Sequence, residues 1–216
     1  HNVDIRIAFG YKDTRPTRFV GDRYERLYIV QDLIRPCLQT KNMICGFVRD
    51  EQDGDSLHRS FILTKTENLD VQSLIAENNL LSGLGSAKAV FYVGHSRDGG
   101  GPDFAPPKIS EDKQVDYRWY QENKPGIRKV LSAIGSSQMR EHQIFGMMSC
   151  LSSKHFDKSI EALTKRVSFV STHKLIYYTE ALNQTLTQVS KVMSEQLIAE
   201  LSAATSRTSA PKTFSF

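Results

Sequence analysis

Two runs of apolar residues constrain the fold of this chain more than any other feature. KAVFYVGH (88–95) and HQIFGMMSC (142–150) are nearly continuous in apolar residues. Strands that are buried on both faces of a parallel sheet have this pattern. Parallel strands need long crossover connections, usually helices, and those helices cover the faces of the sheet. We therefore expect a chain in which strands and helices alternate.

The rest of the sequence continues this alternation. Alternating apolar patterns predict further strands at 4–11, 42–50, 56–64 and 166–174, with 43–64 forming a hairpin. Apolar residues at helical spacing predict helices at 22–39, 69–85, 116–135 (in two pieces, broken at Pro125), 152–165 and 179–204. No repeat or linker divides the 216 residues. The pattern predicts one domain over 1–216, an α/β/α three-layer sandwich with a mostly parallel central sheet, and a loose tail at 205–216.

Composition excludes some classes of protein. The net charge is +4, and the basic residues are interspersed with acidic ones rather than gathered into a stripe. A nucleic-acid partner is therefore not expected. No apolar run approaches the length that would cross a membrane. The Cys and His residues show no spacing typical of a zinc site.

The cysteines and the first residue bear on location. Cys37 and Cys45 lie eight positions apart, and they either form a disulfide or are two buried thiols. If they form a disulfide, Cys150 is the cysteine left free. The chain begins at His1 rather than Met. Together these features favour a secreted or periplasmic protein, with a cytoplasmic one as the alternative.

The stretch VFYVGHSRDGGGPDF (90–104) resembles the strand and turn that present the serine nucleophile of lipases and esterases. In that interpretation Ser96 attacks, with Asp157 and His173 completing the triad. However, Asp98 stands where the tight turn needs a small residue, and the following Gly-Gly-Gly-Pro does not form a helix. A serine esterase or lipase is therefore the alternative rather than the preferred hypothesis.

The preferred hypothesis assigns the chemistry to His95 and Cys150. Each follows one of the two apolar strands, and catalytic groups in parallel sheets gather at the carboxyl ends of strands. A cysteine attacks as its thiolate, which a nearby imidazole can generate. The glycine-rich stretch after His95 leaves backbone amides accessible for an oxyanion hole. His155, five residues after Cys150, is a reserve candidate for the base.

An apolar strand ending in His, then glycines, and about fifty residues later an apolar strand ending in Cys, resembles the caspase-like cysteine peptidases. The resemblance covers roughly residues 4–175. It implies a cysteine endopeptidase that acts on protein or peptide substrates without a cofactor. It also implies that the amides of Ser96 and Cys150 bind the oxyanion, and that Met148 and Ser171 line the substrate pocket.

Two positions depart from the family pattern. Members commonly have Gly directly after the catalytic His, where this chain has Ser96. Several branches have an acidic residue or Gln two positions before the Cys, where this chain has Met148. The side-chain preference of the substrate therefore stays open. A third hypothesis is a non-catalytic binding module with the caspase-like fold.

Overall fold

A five-stranded sheet organises the structure, a computed structural model that describes residues 5–10, 59–61, 69–137, 142–163, 166–177, 180–192 and 194–195. The strands are β1 (Ile5–Phe9), β2 (Arg59–Phe61), β3 (Ala89–Val93), β4 (Gln143–Met148) and β5 (Val167–Ser171). They lie in the order β2-β1-β3-β4-β5. All four neighbouring pairs are parallel.

Four described helices lie between successive strands from β2 to β5, and a fifth follows β5. They are α1 (Leu69–Ser86), α2 (Tyr117–Asn123), α3 (Pro125–Ser136), α4 (Ser152–Glu161) and α5 (residues 180–192). The break between α2 and α3 falls at Lys124, which has a left-handed φ of 46° and is followed by Pro125 at the start of α3. Proline suits the first position of a helix, where its missing N–H costs nothing.

The sheet separates two clusters of buried side chains, because successive residues of a strand point to opposite faces. On one face, residues such as Tyr92 and Met147 pack with apolar side chains of α1, α3 and α4. On the other face, residues such as Phe91 and Met148 pack with apolar side chains of α5. Every residue of β3 is buried, which is the physical reason for its continuous apolar sequence.

The described residues confirm an α/β fold with a parallel sheet. The predicted helix at 69–85 and the two helices separated at Pro125 are confirmed as α1, α2 and α3. The predicted strand 88–95 overshoots by two residues at its carboxyl end, because the sheet register stops at Val93. The predicted helix 22–39, strand 42–50, Cys37, Cys45 and tail 205–216 lie outside the described residues. Within the described part of the chain, no helix has the length and apolar character needed to cross a membrane.

Candidate active site

The register of the two central strands places His95 and Cys150 at corresponding positions. Val93 of β3 pairs with Met148 of β4, and each candidate lies two residues beyond its strand. The N–H of Gly94 still donates to the Met148 carbonyl, at 3.4 Å. Both candidates are half-buried. The structure therefore brings the ends of the two predicted strands together at one edge of the sheet.

Cys150 lies in a tight turn between β4 and α4, which we call the Cys150 turn (residues 149–152). Its thiol is free and lies 3.6 Å from the carbonyl oxygen of Ile176. Leu151 adopts a left-handed φ of 51° and donates its N–H to the Lys174 carbonyl at 3.0 Å. Among the described residues, the N–H of Cys150 has no acceptor.

Two buried hydroxyl groups tie the Cys150 turn to the end of β5. The Ser152 hydroxyl donates to the Met147 carbonyl at 2.7 Å and accepts the N–H of Thr172 at 2.8 Å. The Thr172 hydroxyl donates to the carbonyl of Ser149. The two bonds that involve Thr172 join residues at least 20 positions apart in sequence. Together they fix the backbone on which Cys150 is carried.

The backbone after His95 forms an ordered loop, which we call the His95 loop (residues 94–104). The Ser96 carbonyl accepts the N–H groups of Gly99 at 3.1 Å and Gly101 at 2.9 Å. The Gly100 carbonyl accepts the N–H of Gly126, at the start of α3, at 2.8 Å. In the described part of the chain the N–H of Ser96 itself donates to no acceptor. Within the described ranges, neither of the two predicted oxyanion donors has a backbone acceptor.

A buried network of polar side chains stabilises the His95 loop. Arg97 is 2% exposed and forms an ion pair with Asp103, at 2.5 Å between Nε and Oδ2. The Tyr120 hydroxyl donates to the same carboxylate at 3.2 Å, and burial raises the pKa of this phenol. The Tyr92 hydroxyl accepts the N–H of Asp103 at 3.0 Å and donates to the His95 carbonyl at 3.1 Å. Sequence reasoning did not find this network.

The geometry around Ser96 differs from a nucleophile turn. Ser96 has ordinary backbone angles, with φ −76° and ψ −18°. It is followed by a single 3₁₀ turn, Arg97–Gly99, in which Asp98 is left-handed with φ 50°. No α-helix therefore begins behind Ser96 to direct its dipole at the hydroxyl. Of the other two residues predicted for this triad, His173 is exposed and Asp157 has a buried Oδ1 without a partner in the described structure.

His155, the reserve base, contacts the His95 loop through a carboxylate. Its Nε2 lies 3.4 Å from Oδ1 of Asp98, and Gln121 donates to the other oxygen of that carboxylate. Burial lowers the pKa of His155 below its ordinary value, while the Asp98 charge acts in the opposite direction. The imidazole therefore has an acidic partner of its own, whereas the thiol of Cys150 contacts the Ile176 carbonyl.

The two predicted pocket residues have different surroundings. Met148 is 1% exposed and belongs to the apolar cluster beneath α5. Ser171, the last residue of β5, is half-buried. Beyond it, Leu175 and Tyr177 are exposed by 72% and 83%. These two large apolar side chains flank Ile176, and their only signal in the sequence is the apolar stretch that follows the predicted strand.

Comparison with known proteins gives no identification. No protein-family model matches the chain, and no curated protein matches it. Within the described ranges, no three His, Cys, Asp or Glu side chains are grouped so that they could hold a metal ion.

Proposed function

We propose that this protein is a cysteine endopeptidase with a caspase-like three-layer fold. His95 removes the proton of the Cys150 thiol, and the thiolate attacks the carbonyl carbon of a peptide bond. The amides of Ser96 and Cys150 stabilise the negative charge that develops on the carbonyl oxygen. His95 then protonates the leaving amine, and water hydrolyses the acyl-enzyme to free the thiol.

The observation that carries this proposal is the pairing of Val93 with Met148. It aligns the ends of β3 and β4, so that His95 and Cys150 occupy equivalent places on adjacent strands. Both strands are interior to the sheet, between β1 and β5. Ligand sites of parallel sheets lie beyond the carboxyl ends of such strands. A base and a nucleophile therefore share the place where chemistry is expected.

A second support is that two amides beside the site have no acceptor among the described residues. A backbone N–H near the protein interior usually has an acceptor, so an N–H without one is informative. Ser96 is buried and Cys150 half-buried, yet in the described part of the chain neither N–H donates a hydrogen bond. An oxyanion would supply the missing acceptor. The non-catalytic alternative does not explain why two such groups lie beside a cysteine and a histidine.

Labelling with mass-spectrometric mapping tests the proposal without knowledge of the substrate. Iodoacetamide should alkylate Cys150 rapidly, and His95→Ala should slow this reaction about tenfold by removing the group that generates the thiolate. His142→Ala is the matched control, because His142 is exposed at the opposite end of β4. It should leave the rate unchanged. In the same assay, His155→Gln tests whether His155, the reserve base, generates the thiolate in place of His95.

Other outcomes select the other hypotheses. Labelling of Ser96 by a fluorophosphonate would favour the serine hydrolase. Slow alkylation that is equal in the wild type and His95→Ala, without serine labelling, would favour the binding module. A fluorogenic peptide library then identifies the preferred substrate of the active protein.

A further inference from the structure

The two proposed oxyanion donors belong to two peptide groups whose carbonyls are also part of the site. The N–H of Ser96 shares a peptide plane with the carbonyl of His95, and the N–H of Cys150 shares one with the carbonyl of Ser149. Both peptide bonds are trans. In a planar trans peptide the C=O and N–H point in opposite directions. A group that fixes the carbonyl therefore fixes the direction of the N–H.

A side-chain hydroxyl holds each of these two carbonyls. The Tyr92 hydroxyl donates to the His95 carbonyl at 3.1 Å. The Thr172 hydroxyl donates to the Ser149 carbonyl. Tyr92 is fully buried and Thr172 is 4% exposed. Tyr92 lies in β3 and Thr172 directly follows β5, yet their hydroxyls make the same contact on both halves of the candidate site.

We propose that Tyr92 and Thr172 are positioning residues that orient the two oxyanion-binding amides. This inference rests on the proposed cysteine peptidase function and assigns that function two residues outside the His95 and Cys150 pair. Neither hydroxyl needs to touch the substrate. Each hydroxyl fixes the carbonyl of a peptide group, so that the N–H on the opposite side of that group stays directed at the developing negative charge. Such preorganised donors need no rearrangement during the reaction.

The surroundings of Tyr92 keep its hydroxyl in place. It accepts the N–H of Asp103 at 3.0 Å, and its one proton is shared between the carbonyls of His95 and Asp103, the latter at 3.3 Å. A Cβ atom at either Gly10 or Gly94 would lie 2.3 Å from this oxygen. Glycine at both positions therefore makes room for the hydroxyl beneath the His95 loop.

Thr172 is fixed with similar rigidity. Its N–H donates to the Ser152 hydroxyl at 2.8 Å, and its carbonyl accepts the N–H of Ser153 at 3.1 Å. Its own hydroxyl also lies 3.1 Å from the Ser152 oxygen. A β-branched side chain has few rotamers, so these backbone bonds also determine where its hydroxyl points. The Ser149 carbonyl is thus held by a hydrogen bond from a residue that directly follows β5.

Two substitutions that keep size but remove the hydroxyl test the proposal. Tyr92→Phe and Thr172→Val should each lower kcat about 10- to 100-fold on the library-selected peptide, with KM changed by less than about threefold. Iodoacetamide alkylation of Cys150 forms no oxyanion. Its rate should therefore stay within about threefold of the wild type, which also shows that the variant site is folded. Thr172→Ser, which keeps the hydroxyl, should restore kcat.

The matched control is Thr185→Val, because Thr185 is fully buried and its hydroxyl bonds the Ala181 carbonyl within α5 at 2.8 Å. It should leave kcat unchanged. A kcat for Tyr92→Phe and Thr172→Val that equals the control overturns the inference while the peptidase proposal stands. A parallel loss of alkylation and kcat also overturns it, as a general structural role. If one variant does not fold, the other decides. A wild type without peptide cleavage and without His95-dependent alkylation overturns both proposals.

Discussion

Gly126 lies where α3 meets the His95 loop, and replacing it with alanine should destabilise the protein. A Cβ atom on Gly126 would lie 1.9 Å from the Pro102 carbonyl oxygen and 2.7 Å from the carbonyl carbon of Gly101. Both atoms belong to backbone and cannot rotate away as the end of a side chain could. Either α3 or the loop must therefore move.

Three contributions set the size of the effect. Overpacking of this kind costs about 1–3 kcal/mol. Movement also weakens the bond from the Gly126 N–H to the Gly100 carbonyl, which is 2.8 Å long and contributes about 0.5–1.5 kcal/mol. Against these, alanine in a helix gains about 0.5–1 kcal/mol over glycine. We expect Gly126→Ala to lower the free energy of unfolding by about 2 kcal/mol.

The same helix offers a control with the opposite sign. Among the described residues, a Cβ atom at Gly135 would meet only Leu163, at 3.5 Å, which is an ordinary contact. Gly135→Ala should therefore raise the free energy of unfolding by about 0.5 kcal/mol. Urea unfolding followed by circular dichroism and linear extrapolation measures both changes. If both substitutions shift stability in the same direction, the close approach of α3 to the loop does not determine the effect.

Three other predictions follow from contacts near the site. By NMR titration, His155 should have a pKa below the ordinary 6.5, and Asp98→Asn should lower it further. The folded state then binds fewer protons than the unfolded state, so the contribution of His155 to stability falls as pH decreases through about 6.5. A pKa above 6.5 would contradict the effect of burial. Ser152→Ala should cost about 1–3 kcal/mol in urea unfolding because it leaves a buried N–H unpaired, whereas exposed Ser136→Ala should change little. Met148→Ala should cost about 2–5 kcal/mol in the same assay, and a negligible cost would place this side chain in an open pocket rather than the core.

The sequence predicts those parts of the fold that depend on local pattern. The break at Pro125 and the continuous apolar run of β3 have causes within a few residues, and both are found in the structure. The sequence predicts the positions of the strand ends less accurately, since the predicted strand continues past Val93 although pairing stops there. Where a strand ends depends on its neighbours, which a local pattern does not contain.

The sequence likewise predicts some residues of the candidate site and not others. His95 and Cys150 are visible in the sequence because each follows an apolar run. The hydroxyls of Tyr92 and Thr172 are not visible as parts of the site. Their partners are determined by the pairing of strands and by the path of the His95 loop. The ion pair of Arg97 with Asp103 likewise lies in a turn where Arg97 and Asp98 have left-handed φ angles of 48° and 50°, which a local sequence pattern does not predict for residues other than glycine.

The strand order has a consequence for how this chain folds. β1 is formed from the earliest described residues, yet it lies inside the sheet, paired with both β2 and β3. During synthesis it stays without these neighbours until residues 59–61 and 89–93 have been made. β3 in turn waits for β4, about fifty residues later. Such pairing over long stretches of chain slows folding and leaves apolar strand edges exposed for longer. The newly made chain should therefore be most prone to aggregate before residues 143–148 have joined the sheet.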